Sequence, residues 1–304
     1  MSHTIRIGTR ESELARWQAS QVASILEKAG HKTELIPIRS DGDILLDQPL
    51  YELGITGIFT KTLDIALLQN KVDLAVHSFK DVPTALPKGL EQFAVLERAP
   101  SKDVLVFNEE PDLSEQCLIA TGSLRRAAQW LHKYPAHRTT DLRGNVNTRL
   151  RKLSESNWQG AIFAYAGLER IGLLPDNRLD LDWMVPAPAQ GAVMVMGRSN
   201  NQDLKQWVSE INHSPTAICT QIEREFLRTL EGGCTAPIGA LASLSTDGIQ
   251  FTGLLNSLDG SQELRVEEEV ALDEVKDLGV RLAKELLDNG GKKLMESIRQ
   301  SQGR

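Results

Sequence analysis

The chain has 304 residues, 41% hydrophobic and 25% charged, with 23 Gly and 12 Pro. This is an ordinary composition that excludes disordered, collagen-like and disulfide-scaffold classes and predicts two or three domains. Its formal charge of −7, from 34 basic and 41 acidic residues, speaks against a nucleic-acid coat or a polybasic membrane clamp. The average conceals an asymmetry: from Arg125 to Arg151 seven basic residues stand against Asp141 alone, so these 27 residues carry +6 and the rest −13, and an anionic partner is expected there.

In chain order, Ile5–Ile7, Ser12–Ala29, Thr33–Ile38, Ile58–Gln69 and Val72–His77 alternate strand-like and helical patterns, the punctuation of βαβ units. Within the first helix, Leu14, Trp17, Gln21, Ile25 and Ala29 recur at helical spacing and predict a face packed on a sheet. Ser40–Tyr51, rich in Asp, reads as a loop. A second α/β unit begins near Lys102, with strands at Val104–Phe107, Leu118–Ala120 and Ala161–Tyr165, helices at Ser123–His132 and Val146–Leu153, and an end near Val185–Pro188. The strand Ala192–Met196 and helix Asp203–Ile211 are expected to cross back to the first unit, because a lone strand and helix have no core of their own.

From Pro215 the pattern changes to a helix ending near Leu230, strands at Ile238–Leu244, Ile249–Asn256 and Glu263–Leu272, and a closing helix Asp273–Leu287 striped by Val275, Leu278, Leu282 and Leu286. Asp247-Gly248 and Asp259-Gly260 mark hairpin turns. The expected architecture is α/β: residues 1–95 with 190–212 as one domain, 98–188 as a second, and 214–304 as a smaller α+β domain with a three-stranded antiparallel sheet.

Two stretches join strand ends to helix starts with basic residues, Thr121-Gly122-Ser123-Leu124-Arg125-Arg126 and Asp141-Leu142-Arg143-Gly144-Asn145-Val146, the latter leading to Arg149 and Lys152 on one helical face. Ser123 is a candidate N-cap, and a helix N-terminus there favours carboxylate or phosphate. Arginine forks bind carboxylates in pairs of hydrogen bonds, which suits a ligand with many carboxylates. The plain alternative is a solvated basic helix.

Val76-His77-Ser78-Phe79-Lys80-Asp81-Val82-Pro83 sets an imidazole, a hydroxyl, an ammonium and a carboxylate at a strand end, where ligands gather in open α/β folds. Asp81 there can pair with a developing cation or move protons, or simply cap a turn. Cys234 follows Gly232-Gly233 in a loop, so it is either a nucleophile suited to holding a prosthetic group or a small buried residue; Cys117 and Cys219 fit the second description. Three cysteines without a CxxC pair fit a reducing compartment. With no apolar signal core in MSHTIRIGTR and no run near the ~20 residues of a membrane span, a cytoplasmic protein without a membrane partner is expected. Phosphate-loop, dinucleotide, serine-hydrolase and zinc-protease motifs are absent, and the histidines lack ligand spacing, so no metal is expected.

Taken in order, Gly8-Thr9-Arg10-Glu11-Ser12 with Trp17-Gln18, the Ala75–Pro83 string, Thr121–Arg126, Leu142–Val146, Ala166-Gly167-Leu168 with Arg170, Gln190-Gly191-Ala192, and Glu231–Cys234 with Pro237-Ile238-Gly239 resemble the hydroxymethylbilane synthase (porphobilinogen deaminase) family over nearly the whole chain. The resemblance implies two domains like the lobes of a periplasmic binding protein, a cleft between them, and a third domain. It implies that Cys234 holds a dipyrromethane cofactor by a thioether and that four porphobilinogen units are deaminated and added to this primer, the product being released by hydrolysis. It further implies that Asp81 is the catalytic carboxylate. Thr121, Ser123, Arg125, Arg126, Arg143, Lys80 and Asp81 correspond to cofactor contacts, and Arg10, Ser12, Arg149, Arg170 and Gln190 to substrate contacts. A monomer is expected.

The chain departs from the family pattern at Thr56, where a lysine is common and Lys61 is a possible substitute, at Glu13, where proline is usual, and at Gly122, where a second serine is common. Two rival readings are a two-lobed binding protein for a small polycarboxylate, without catalysis, and an RNA binder using Arg125–Arg151. The second predicts more stacking aromatics than the neighbouring Trp130 and Tyr134.

Overall fold

Short aliphatic runs able to be buried on both faces become the central strands of two sheets. The computed structural model describes residues 4–39, 60–230 and 236–302; the predicted loop Ser40–Tyr51, Thr56 and Cys234 lie outside the described residues. In chain order the strands are β1 (Thr4–Thr9), β2 (Lys32–Pro37), β3 (Leu74–Ser78), β4 (Leu90–Val95), β5 (Asp103–Val106), β6 (Leu118–Ala120), β7 (Arg138–Thr140), β8 (Gly160–Ala164), β9 (Arg178–Asp180), β10 (Val193–Arg198), β11 (Ile238–Leu244), β12 (Ile249–Asn256) and β13 (Glu263–Val270). The helices are α1 (Glu13–Lys28), α2 (Lys61–Leu68), α3 (Leu124–Lys133), α4 (Val146–Ser154), α5 (Tyr165–Glu169), α6 (Gln202–Ser209), α7 (Ser214–Thr229), α8 (Leu278–Leu286) and α9 (Lys292–Ser301).

The first sheet has the order β2-β1-β3-β10-β4 and the second β7-β6-β8-β5-β9. In each, one strand arriving from the crossover runs antiparallel between two others: β10 between β3 and β4, β5 between β8 and β9. The chain passes between the sheets twice, at residues 96–102 and 185–192, so any cleft between the lobes is spanned by two strands of backbone.

Both faces of the first sheet are covered. α1 and α6 bury Val22, Leu26, Leu204 and Val208 on one side, and α2 buries Leu63 and Leu67 on the other. The second sheet is likewise covered, with Trp130 of α3 on one face and Leu153 of α4 and Leu168 of α5 on the other. β11, β12 and β13 form the antiparallel third sheet, against which Phe226 of α7, Leu282 of α8 and Ile298 of α9 pack.

Several local expectations are corrected. The face of α1 that meets the sheet is Ala15, Ala19, Val22 and Leu26; Ile25 stays 37% exposed. Small alanines let the helix approach the sheet closely, while the bulkier Leu14 and Trp17 turn toward the second lobe, where a Cβ at Gly167 would stand 3.7 Å from Leu14 and the Arg170 guanidinium lies 5.3 Å from the Trp17 ring centroid. The closing helix is interrupted. Asp277 takes a left-handed conformation before α8, and Gly290 (φ 109°) ends a wide turn that starts α9. β4, β7 and β9 were not anticipated, the last two being polar runs of three residues.

The third sheet is tied to the rest by charge and by shape. Glu223 of α7, fully buried, accepts from Arg98 Nη1 at 2.6 Å, Ala189 N at 2.6 Å and Ala242 N at 2.8 Å, so one carboxylate holds both crossings and β11. At the other side the Gly260 turn presses on the end of α3: a Cβ there would meet Ala128 O and His132 N at 2.6 Å, at a φ of 73°. Replacing Glu223 with Ala leaves the largely enclosed Arg98, 13% exposed in its side chain, without its charge partner. A loss of about 3–5 kcal/mol is expected, measured by denaturant unfolding against the unaltered protein.

Candidate functional site

At the carboxyl end of β3 the chain turns into a single 3-10 turn, Phe79–Asp81, because Phe79 is drawn into the core and its N–H donates to Ala192 O at 3.0 Å. Lys80 and Asp81 are thereby left half-buried at the strand end. Arg224 of α7 grips this turn from behind, donating to Val82 O at 2.8 Å and Pro83 O at 2.6 Å with its guanidinium 4.4 Å from the Phe79 ring centroid. Gln18 of α1 donates to Ser78 Oγ at 2.9 Å. His77, beneath them, is buried; burial and the nearby Arg10 lower it to about 4, so it is a neutral imidazole and not an open-face donor.

Across the cleft, α3 begins with two arginines whose side chains turn inward. Both meet Asp103, the first residue of β5, which is fully buried. Arg125 Nη2 donates to Asp103 Oδ2 at 2.7 Å, and Arg126 donates through Nη2 at 2.7 Å and Nε at 3.1 Å to Oδ1. Val185 O and Ile162 O take a further donor from Arg125 and Arg126, at 2.7 and 3.0 Å. Gln190 Nε2 donates to the same Asp103 Oδ1 at 2.8 Å and to Ser101 O at 2.6 Å, while its Oε1 accepts from Lys80 Nζ at 3.3 Å. Lys80, Gln190, Arg125 and Arg126 thus converge on a carboxylate that sequence reading missed.

The electrostatics match this geometry. Burial would raise Asp103, yet Arg125, Arg126 and Lys80 hold it at about 2. Burial and Arg126 lower the Lys80 ammonium to about 8, with Asp81 and Asp103 pulling the other way. Arg149, on α4, is lowered to about 10 by burial, then by Arg126 and Arg143, while Asp81 opposes and Arg10 adds to the lowering. Arg10 and Asp81 of the first lobe and Arg126, Arg143 and Arg149 of the second therefore share one electrostatic neighbourhood. Arg143 is buried just before α4, whose N-cap Asn145 accepts from Thr148 N.

Other candidates also make local contacts. Ser12 caps α1 by accepting from Ala15 N at 3.3 Å. Ser123 occupies the N-cap position of α3, but its hydroxyl makes no capping bond; instead its N–H donates to Thr121 Oγ1 at 3.3 Å. Arg170 donates to Gly191 O at 2.7 Å over Trp17. At Gly122 a Cβ would stand 2.4 Å from Leu142 O, so the backbones of the two basic turns approach too closely for a serine there. Glu13 accepts from Asn147 Nδ2 at 2.9 Å, a direct contact between the lobes. Cys234 lies outside the described residues; Cys117 and Cys219 are free and buried.

Residues 5–206 match the family model described as porphobilinogen deaminase, dipyromethane cofactor binding domain, and residues 217–288 match the porphobilinogen deaminase C-terminal domain. A porphobilinogen deaminase of Syntrophomonas wolfei is 41% identical over 294 residues, covering 94% of this chain and 96% of its own. One of Pelotomaculum thermopropionicum is 40% identical over 311 aligned residues, covering 100% of each. Among solved structures, an ancestral cationic amino acid solute binding protein aligns with a TM-score of 0.44 at 13% identity, over 68% of this chain and 87% of that one.

Because Asp81 raises Lys80, Asp81→Asn should move the Lys80 titration below its value of about 8. Lysine-selective carbon-13 NMR reads this directly, and an unmoved or raised midpoint would show that Asp81 does not face the ammonium.

Proposed function

This chain belongs to the porphobilinogen deaminase family, and on that premise we propose that Asp81 is its catalytic carboxylate and Cys234 the thiol that carries its dipyrromethane cofactor. Its activity is that of hydroxymethylbilane synthase, a transferase of porphyrin and heme biosynthesis. Four porphobilinogen molecules lose four ammonia and are joined head to tail, and one water hydrolyses the linear tetrapyrrole free as hydroxymethylbilane. The observation that carries the site assignment is the link from Lys80 through Gln190 to Asp103 and Arg126 of the other lobe, with Arg149 near enough to Asp81 to feel its charge.

The residues present fit the cofactor. Each pyrrole ring bears an acetate and a propionate, so the group needs several cationic donors together, and buried Arg125 keeps an Nε–H with no protein acceptor. Lys80, Asp81, Thr121, Ser123, Arg125, Arg126 and Arg143 would hold it. When bound, the dipyrromethane supplies the pyrrole end to which new units are joined. Arg10, Ser12, Arg149 and Arg170 receive the substrate carboxylates, while Gln190, whose amide hydrogens go to Ser101 O and Asp103 Oδ1, serves by orienting Lys80. Asp81 accepts from pyrrole N–H groups, stabilises the cation that develops as ammonia leaves porphobilinogen, and takes up and returns the proton that the new carbon–carbon bond displaces. Arginine charge offsets the carboxylates that accumulate with each added ring.

Sheet membership supports the division into residues 1–95 with 190–212, 98–188 and 214–304. A cytoplasmic monomer completes the proposal, in keeping with the chain's negative charge and its cysteines without a CxxC pair. A non-catalytic binder of a small polycarboxylate is disfavoured, since relatives matched over full length bear the enzyme's name.

Protein from a porphobilinogen-making host should weigh more than its sequence by two linked pyrrole units, an excess lost in Cys234→Ser. An unmodified Cys234 would overturn the cofactor assignment. Asp81→Ala should keep the circular dichroism spectrum and lower ammonia release at least ~10²-fold; turnover near that of the unaltered protein would remove Asp81 from the chemistry.

A further inference from the structure

Two guanidiniums and an ammonium crowded into a poorly solvated cleft repel one another, and each would turn toward water if it were free to do so. Here they do not. Arg125 and Arg126 are 4% and 5% exposed, against a carboxylate with no exposure at all. Asp103 takes one edge of Arg126 and one terminal nitrogen of Arg125, and the backbone acceptors Ile162 O and Val185 O take the next donor of each. Each guanidinium plane is therefore fixed from two sides by separate segments.

The same carboxylate orients a third group. Gln190 Nε2 is shared between Ser101 O and Asp103 Oδ1, both of which only accept, so its amide oxygen must face the other way, toward Lys80 Nζ. Even with Asp81 counted beside Asp103, two negative charges against Arg125, Arg126 and Lys80 leave the cluster cationic. Asp103 neutralises enough to permit burial without cancelling the attraction for anions.

We propose that Asp103 is a positioning residue of the carboxylate-binding face, aiming Arg125 and Arg126 directly and Lys80 through Gln190. The proposal rests on the assignment of these cations to ligand carboxylates made above. It makes an unusual sign prediction. Asp103→Asn makes the cleft more positive, so if charge alone governed binding, a polycarboxylate would bind more tightly. If aim governs, it binds more weakly.

The test is calorimetric titration of porphobilinogen into Cys234→Ser protein, with and without Asp103→Asn. Affinity is expected to fall at least ~10-fold while the circular dichroism spectrum is kept. Unchanged or tighter binding, including the case where only the melting temperature drops, overturns the proposal. If Asp103→Asn does not fold, Asp103→Glu keeps the charge but pushes the carboxylate outward by about one methylene. It should also bind more weakly, and unaltered affinity overturns the proposal equally. In protein with Cys234 intact, Asp103→Asn should lower the fraction carrying the two-pyrrole mass. If even the unaltered protein carries none, the cofactor assignment fails, while the titration still decides the role of Asp103.

Discussion

Everything at this site depends on one electrostatic compromise: cations numerous enough to attract a polyanion must be buried closely enough to hold it in one pose. Burial strengthens each attraction but also each repulsion among the cations themselves. A single internal carboxylate, Asp103, meets both demands: it is shared by two guanidiniums and an amide, and against its burial Arg125, Arg126 and Lys80 hold it at about 2. Desolvation is the largest influence on the surrounding Arg143 and Arg149, opposed by Asp141 at the first and by Asp81 at the second. The basic stretch thus has a partly neutralised floor at Asp103, with Arg143 and Arg149 beside it.

The lobes contribute opposite halves of this arrangement, and the third sheet keeps them in register. Glu223 joins both crossings, and Arg98, its partner, donates to Gln190 O at 2.8 Å. The backbone of Gln190 is therefore anchored from the third sheet while its side chain reads Asp103 and Lys80. Arg224, the next residue on α7, holds the turn that carries Lys80 and Asp81. One helical turn thus supports both the floor and the rim of the site, and α7 ends just before the segment bearing Cys234.

Much of this was legible in the sequence where it was local. The βαβ alternation, the return of β10, the antiparallel third sheet with its Asp-Gly turns and the strings around Lys80-Asp81 and Arg125-Arg126 all follow from neighbours along the chain. Asp103 was not legible, because its partners stand 22, 23 and 87 residues away and nothing in Lys102-Asp103-Val104 announces them. Glu223 and Arg98, 125 apart, were silent for the same reason. The face of α1 was misread because hydrophobicity ranks leucine and tryptophan above alanine, whereas close packing on a sheet favours the small residue. The serine at the start of α3 carried a capping signal, yet its hydroxyl makes no capping bond.

The insertion of β10 between β3 and β4 bears on the order in which the molecule can be built. Among the described residues β4 pairs in the first sheet with β10 alone, and β10 ends at Arg198. The second sheet, by contrast, is complete once β9 has ended at Asp180. On a ribosome that delivers the amino-terminal end first, the lobe that begins the chain is the later of the two to close, and its β4 edge waits unpaired while its neighbour folds. Protecting that edge during synthesis is a demand the topology imposes regardless of what the finished cleft binds.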